Sequence, residues 1–275
     1  MFKNQKIFVR HIALPQDHGS WVFLISPLLI GIFAGGRWLA ATFLLIIAAL
    51  AVFLVRQPVA IAVKAYSGRR SRGDLPAARF WMIIYSLIGL LALSGLCAQG
   101  FSYLLFLALP GVPVFVWHLY LVSKRAERRQ VGIEIVASGV LALAAPAGYW
   151  VGQGAPGATG WWLFVLTWLQ SAASIVYAYL RLQQRGLKDL PNLSGRLRLG
   201  GRALAYTAFN LILSILLAAS KTVSFWLIIP YGLQFCETVW GTLNPAINVK
   251  PTRIGLRQLI VSTLFTILFI IAWSG

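Results

Sequence analysis

Nine long apolar runs, parted by polar loops, set the pattern of this chain. They fall at residues 20–35, 38–55, 80–98, 101–122, 131–150, 161–180, 203–220, 222–242 and 256–273. Apolar positions within them are continuous and do not alternate with a period of two, which argues against a transmembrane β-barrel. A helix of about 17–25 apolar residues crosses a hydrocarbon core of about 30 Å. Within lipid, a helix satisfies all of its own backbone hydrogen bonds. The pattern predicts an all-α fold: a polytopic transmembrane helical bundle of nine spans, in a single integral-membrane domain over residues 1–275.

The connections alternate as well. Those at 1–19, 56–79, 123–130, 181–202 and 243–255 are basic and mostly long; those at 36–37, 99–100, 151–160 and 220–221 are tight. Twenty-two of the 24 Lys and Arg residues belong to the first set, with Arg257 at its edge, leaving Arg37 and Lys221 on the other side. Basic loops stay on the cytoplasmic side, so the N-terminus is expected in the cytoplasm and the C-terminus outside. Such loops face an anionic cytoplasmic leaflet. Trp38, Trp150, Trp161, Trp162 and Trp273 mark the outer interface, and Trp21, Trp81, Trp117 and Trp240 the inner one, where an amphipathic ring is comfortable. Trp168 and Trp226 fall deeper and read as packing residues.

Composition agrees: 59% of residues are hydrophobic, 11% are charged and the mean hydropathy is +0.78, against roughly 25% charged in a soluble domain. A net charge of +18 on a soluble chain would suggest a nucleic-acid partner. Here the basic residues sit between spans, so the expected partners are membrane lipids and not nucleic acid. Cys97 and Cys236 lie within spans, form no CxxC pair and read as small core residues. Lys3, Lys6 and Arg10 before an apolar run imitate a secretory leader. The polar stretch 15–21 sets Asp17, His18 and a Trp against the membrane, however, and predicts a retained first span. A faint internal echo joins Gly73-Asp74-Leu75-Pro76 to Lys188-Asp189-Leu190-Pro191, four spans apart. Four-helix pseudo-repeats at 15–122 and 131–242, plus a ninth helix at 256–273, would account for it.

Candidate chemistry is sparse. A charge at the centre of a membrane helix costs about 2.5–3.5 kcal/mol on insertion scales, so each one calls for a reason. Glu237 lies one to two turns inside the cytoplasmic end of the eighth span, with Gln234 three residues before it on the same face. Gln170, Ser174, Tyr177 and Asn210 are the other notable polar groups within spans. They read either as the lining of a polar cavity open to the cytoplasm or as hydrogen bonds that hold helices together. Arg202, Arg181 and Lys250 lie at a depth suited to pairing with Glu237. Asp17 caps the first helix or accepts from a cation. Among the loop cations, Arg56, Arg181 and Arg202 stand closest to span ends, where a guanidinium fork can reach a phosphate or diphosphate. His18 and His118, at matched depth on different spans, allow a haem reading. No metal-ligand cluster, phosphate loop or nucleophile–base pair is evident.

The stretch 15–21, Pro-Gln-Asp-His-Gly-Ser-Trp, followed by apolar 22–31, resembles the Pro-x-x-His-Gly-x-Trp opening of YwiC-like bacterial membrane proteins. The segment 244–255, with Lys250-Pro251 before the last span, is similar to that family's ending. The resemblance implies topology more than activity. The nine-span layout also resembles the UbiA-type prenyltransferases, in which Asp-rich motifs after the second and sixth spans hold Mg²⁺ against an isoprenyl diphosphate. This chain has Arg56-Gln57-Pro58 after the second span and Tyr177-Ala178-Tyr179-Leu180-Arg181 after the sixth, and three Asp in all. A metal-dependent ionisation is therefore not expected on such a scaffold. Three functions follow as expectations. One is binding or transfer of an isoprenoid, quinone-type or other anionic lipid in a cytoplasm-facing cavity. The second is an accessory role in a larger membrane complex of respiration or photosynthesis, and the third is small-anion transport.

Overall fold

The computed structural model describes residues 9–15, 18–124 and 130–274, the side chain of His18 excepted. Among the described residues there are α-helices and short 3-10 turns and no strand. In chain order the helices are α1 (Arg10–Ala13), α2 (His18–Gly35), α3 (Ala40–Tyr66), α4 (Leu75–Ala98), α5 (Leu105–Ala108), α6 (Gly111–Ser123), α7 (Val131–Ala142), α8 (Ala144–Gln153), α9 (Ala158–Gln184), α10 (Leu193–Ala219), α11 (Ile228–Leu243) and α12 (Pro251–Ser274). Each of the nine apolar runs is helical. Seven helical stretches are long and apolar enough to cross a membrane: Ala40–Tyr66, Arg72–Ala98, Ser102–Ser123, Val131–Gln153, Ala158–Gln184, Leu193–Ala219 and Pro251–Ser274. The chain is thus a multi-pass membrane protein. The other two runs, α2 with 18 residues and α11 with 16, are shorter, about 27 and 24 Å at 1.5 Å per residue.

Helix ends differ from the apolar runs in a consistent way. α3 continues to Tyr66, α4 begins at Leu75, α9 reaches Gln184 and α10 starts at Leu193. Lys and Arg are good helix formers with long apolar stems, so a helix does not stop where lipid gives way to basic residues. Arg56, Arg181 and Arg202 accordingly stand inside helices and not in loops. Two runs are interrupted. The fourth divides between α5 and α6 around Pro110 and Pro113. The fifth breaks after Ala142, the residue whose carbonyl would have met the ring of Pro146. Pro27 lies inside an uninterrupted α2, and Pro230 sits in the first turn of α11, where its missing N–H costs nothing.

α2 is the pivot of the packing. One side, with Leu28 and Ile32, joins α3, α4 and α8 in a core that includes Leu45, Leu96, Trp150 and Val151. The other side, with Ile30, joins Leu163, Leu166, Leu217, Tyr231, Phe265 and Phe269 from α9 to α12. Helices in lipid gain little from hydrophobic burial and hold together by close packing between small residues. α2 and α8 do this through Gly31 and Gly35 against Ala145, Gly148 and Gly152. A Cβ on Gly31 would overlap the Ala145 carbonyl, one on Gly148 would come 2.7 Å from the Ile32 nitrogen, and one on Gly152 2.7 Å from Gly35. Gln153 Nε2 closes the crossing by donating to the Gly35 carbonyl at 3.1 Å. α1 lies over the ends of α3 and α4: Ile12 is buried against Ile61 and Ala78, Gln57 donates to the His11 carbonyl and Tyr85 to that of Ala13.

Two side chains depart from expectation, those of Trp226 and Cys236. Trp226 is exposed on the turn Phe225–Leu227 and does not pack in the interior. Trp150 is buried, with Nε1 donating to Gly157 O at 3.0 Å across the connection to α9. Cys236 is exposed on the flank of α11 and is not a core residue.

Candidate functional site

The eighth apolar run supplies the centre of the site. Gln234 and Glu237, three apart on α11, present one face to α9, α12 and α2. Glu237 meets Arg257 of α12 in a two-pronged pair, Nε to Oε1 at 2.6 Å and Nη2 to Oε2 at 2.7 Å. The Tyr177 hydroxyl of α9 donates to Glu237 Oε1 at 2.8 Å. Gly241, one turn on, makes room for that ring, since a Cβ there would overlap Tyr177. The Arg257 guanidinium lies 3.6 Å above the Trp240 ring, which Arg181 faces at 5.3 Å. Arg202, Arg181 and Lys250, chosen by depth as partners of Glu237, do not pair with it. The 244–250 connection folds α12 back along α11 and brings in Arg257 instead.

Arg181 has a different task. It is 6% exposed, and its Nη1 donates to Gly241 O at 2.6 Å, Asn244 O at 2.7 Å and Gln184 Oε1 at 2.9 Å. The last carbonyls of a helix have no partners within it and carry its negative dipole end. A buried guanidinium here closes the C-terminus of α11. Gln184, which also donates to Gly241 O, Arg196, which donates to Leu243 O, and Arg185, which donates to Val249 O, complete the seam.

Beside the Glu237 pair, α2, α9, α11 and α12 enclose a cavity of about 580 Å³, lined on its polar side by Ser174, Tyr177, Gln234, Glu237, Gln258 and Ser262. Among the described residues that line it there is no Lys or Arg. Gln234 Nε2 donates to the Gln170 carbonyl and to Ser174 Oγ, both at 3.0 Å. A backbone carbonyl only accepts, so this fixes which end of the amide is nitrogen. The Gln234 carbonyl, Oε1, is buried without a partner, as is Gln258 Nε2. Adjoining the cavity is a larger apolar groove of about 1190 Å³ between α2 and α12. The two share Val22, Leu259 and Ser262 in their walls. Arg10, His11 and Trp21 line the groove at the α1 end, and Phe33 and Ile271 at the far end.

Of the residues singled out in sequence, Ser174, Tyr177, Gln234 and Glu237 converge on the cavity, and Arg181 stands behind it. Asn210 is a helix-to-helix tie, donating to Leu169 O at 2.9 Å. Arg56 lies over the Phe53 ring at 5.2 Å and Arg202 over Tyr206 at 5.9 Å; neither lines the cavity, and Lys250 is exposed. Asp17 lies outside the described residues, as does the side chain of His18, the counterpart of His118 on α6 in the haem reading. Sequence reasoning missed Arg257, Gln258 and Gln184. Gln258 carried a usable signal, an amide inside an otherwise apolar run; Arg257 was absorbed into the orientation charges.

The family model for the YwiC-like protein matches residues 14–149. The Bacillus subtilis (strain 168) protein YwiC is 26% identical over 178 residues, which cover 62% of this chain and 68% of that protein. No solved structure matches the chain, so the UbiA-type resemblance stands on helix count and loop pattern alone. The family match takes in the α2 wall of the cavity and the whole α2–α8 crossing. α9, α11 and α12, which carry the polar residues, follow it in sequence.

Proposed function

We propose that this chain, which belongs to the YwiC-like family, is a nine-span protein of the bacterial inner membrane that holds one amphiphilic lipid of the isoprenoid or quinone type. Its N-terminus is cytoplasmic and its C-terminus outside. The observation that carries the reading is the pairing of two spaces. An apolar groove along α2 and α12 suits a chain, and the adjoining cavity offers polar groups for a head. A ligand site commonly has this make-up: mostly apolar walls with a few placed polar groups. The short α2 and α11 cross as spans because flanking Trp and basic residues reach the interface, as anchors do beside a short span. The cations once read as anion ligands are engaged elsewhere, Arg181 with helix carbonyls and Arg56 and Arg202 over aromatic rings. They support membrane orientation instead.

Native mass spectrometry of the protein released from nanodiscs tests this. The expected spectrum shows the 30.3 kDa chain with one retained lipid, identified by extraction. Val22→Trp, which fills the wall common to groove and cavity, removes the adduct while the protein stays monodisperse. A bare wild-type chain, or an adduct indifferent to Val22→Trp, overturns the proposal.

A further inference from the structure

We infer that the head of the bound lipid is uncharged and carries both a hydroxyl donor and an acceptor oxygen, as a prenyl alcohol or a quinol does and a diphosphate does not; this rests on the reading of the cavity as a lipid site. Three independent observations point the same way.

First, the two orphan groups are complementary in kind. Gln234 Oε1 can only accept, and Gln258 Nε2 can only donate, and both are buried, unpartnered and in the wall of one cavity. A buried polar group without a partner is costly, and in a membrane the alternatives are few. Gln234, at 6% exposure, is held by its bonds to Gln170 O and Ser174 Oγ, so it cannot turn its carbonyl away to find another donor. A hydroxyl satisfies the first amide with its proton, and a hydroxyl or carbonyl oxygen satisfies the second.

Second, the charge is wrong for an anion. Among the described residues that line the cavity the ionisable groups are Tyr177 and Glu237, and none is a cation. Arg257 turns its guanidinium onto both Glu237 oxygens and the Trp240 face. A diphosphate brought here would lose its water, find no guanidinium fork and face a carboxylate. Such burial is prohibitive without pairing.

Third, the cations and amide at the C-terminus of α11 are already satisfied. Arg181, Gln184 and Arg185 are bonded to the carbonyls of 241, 244 and 249, and Arg257 to the Glu237 carboxylate, so these cations have their donors engaged within the protein.

Equilibrium binding of tritiated probes to the protein in phosphatidylcholine nanodiscs, with empty discs as reference, decides the matter. The probes are farnesol, a decyl-substituted benzoquinol, its oxidised quinone and farnesyl diphosphate. Farnesol or the quinol is expected to bind at least tenfold more tightly than the diphosphate, and whichever of the two is tighter tells the sources apart. The quinone, an acceptor without a hydroxyl, binds more weakly than its quinol. Gln234→Leu and Gln258→Leu each weaken the preferred probe about tenfold, the effect of one buried hydrogen bond. Gln258→Leu is the safer variant for folding, because Gln234 also ties α11 to α9. Tighter binding of the diphosphate, or binding of the neutral probes that ignores both Gln variants, overturns the head-group assignment and leaves the lipid site standing. No binding of any probe means that water fills the cavity, and both readings fall together.

Discussion

Glu237 is tolerable inside an apolar bundle because its oxygens have named partners. Arg257 contributes two nitrogens and Tyr177 a hydroxyl. Removing one member of a buried pair leaves an uncompensated charge and is strongly destabilising, but the Arg257 side chain is 45% exposed, and solvent screening reduces the effect. Arg257→Met is expected to destabilise the protein by about 1–2 kcal/mol. In a double-mutant cycle with Glu237→Gln the pair should show a coupling of about 1 kcal/mol, read by equilibrium unfolding in mixed micelles. Zero coupling would mean that the geometry carries no energy. Arg181→Lys is the second test at this scale. Lys keeps the charge but lacks the planar fork, and three oxygens share one Arg181 nitrogen. A loss of about 2 kcal/mol is expected, close to that of Arg181→Met. Full retention of stability by Lys would show that charge alone closes α11. The sequence made Tyr177, Gln234 and Glu237 legible, because a polar group inside an apolar run stands out whatever its neighbours. Arg257 was not legible as the partner. That depends on how far α12 folds back along α11, a register that nothing local encodes.

At the scale of elements, the closest approach in the bundle is made where side chains are missing. Gly31→Ala and Gly148→Ala each place a methyl on backbone atoms of the opposing helix, which cannot yield as a flexible side chain would. Each is expected to cost about 2–4 kcal/mol and to lower the thermal aggregation temperature in detergent. Gly232→Ala, on α11 with nothing near the added carbon, should be neutral or stabilising by up to about 1 kcal/mol. If all three behave alike, the α2–α8 crossing is not the close contact described. All nine helical runs were legible from continuous apolarity. Their ends were not, since α3, α4, α9 and α10 run past the last apolar residue on Arg and Lys stems. The Pro146 break was readable in principle from the fixed reach of its ring to residue 142. Which helix faces which was hidden, because a helix apolar on most sides presents no single stripe to follow.

For the molecule as a whole, the basic loops predict an orientation that labelling can check. In a background without Cys97 and Cys236, Ala155→Cys and Thr222→Cys should react with a membrane-impermeant maleimide on intact cells. Ser67→Cys and Asp189→Cys should react only after permeabilisation; all four positions are exposed. The opposite pattern inverts the topology. Mutual packing also bears on how the chain is made. α2 leaves the ribosome well before its groove-to-groove partner α8, which lies 118 residues further on, the separation between Gly35 and Gln153. At about 5–20 residues per second, roughly 6–24 s pass between the synthesis of the two. For that interval a short helix, notched by Gly31 and Gly35, waits in the bilayer without the surface shaped to fill it. Lipid tails or an insertion factor must cover the notch. A chain cut short after α6 keeps the notch open for good, which makes such fragments natural substrates for membrane quality control.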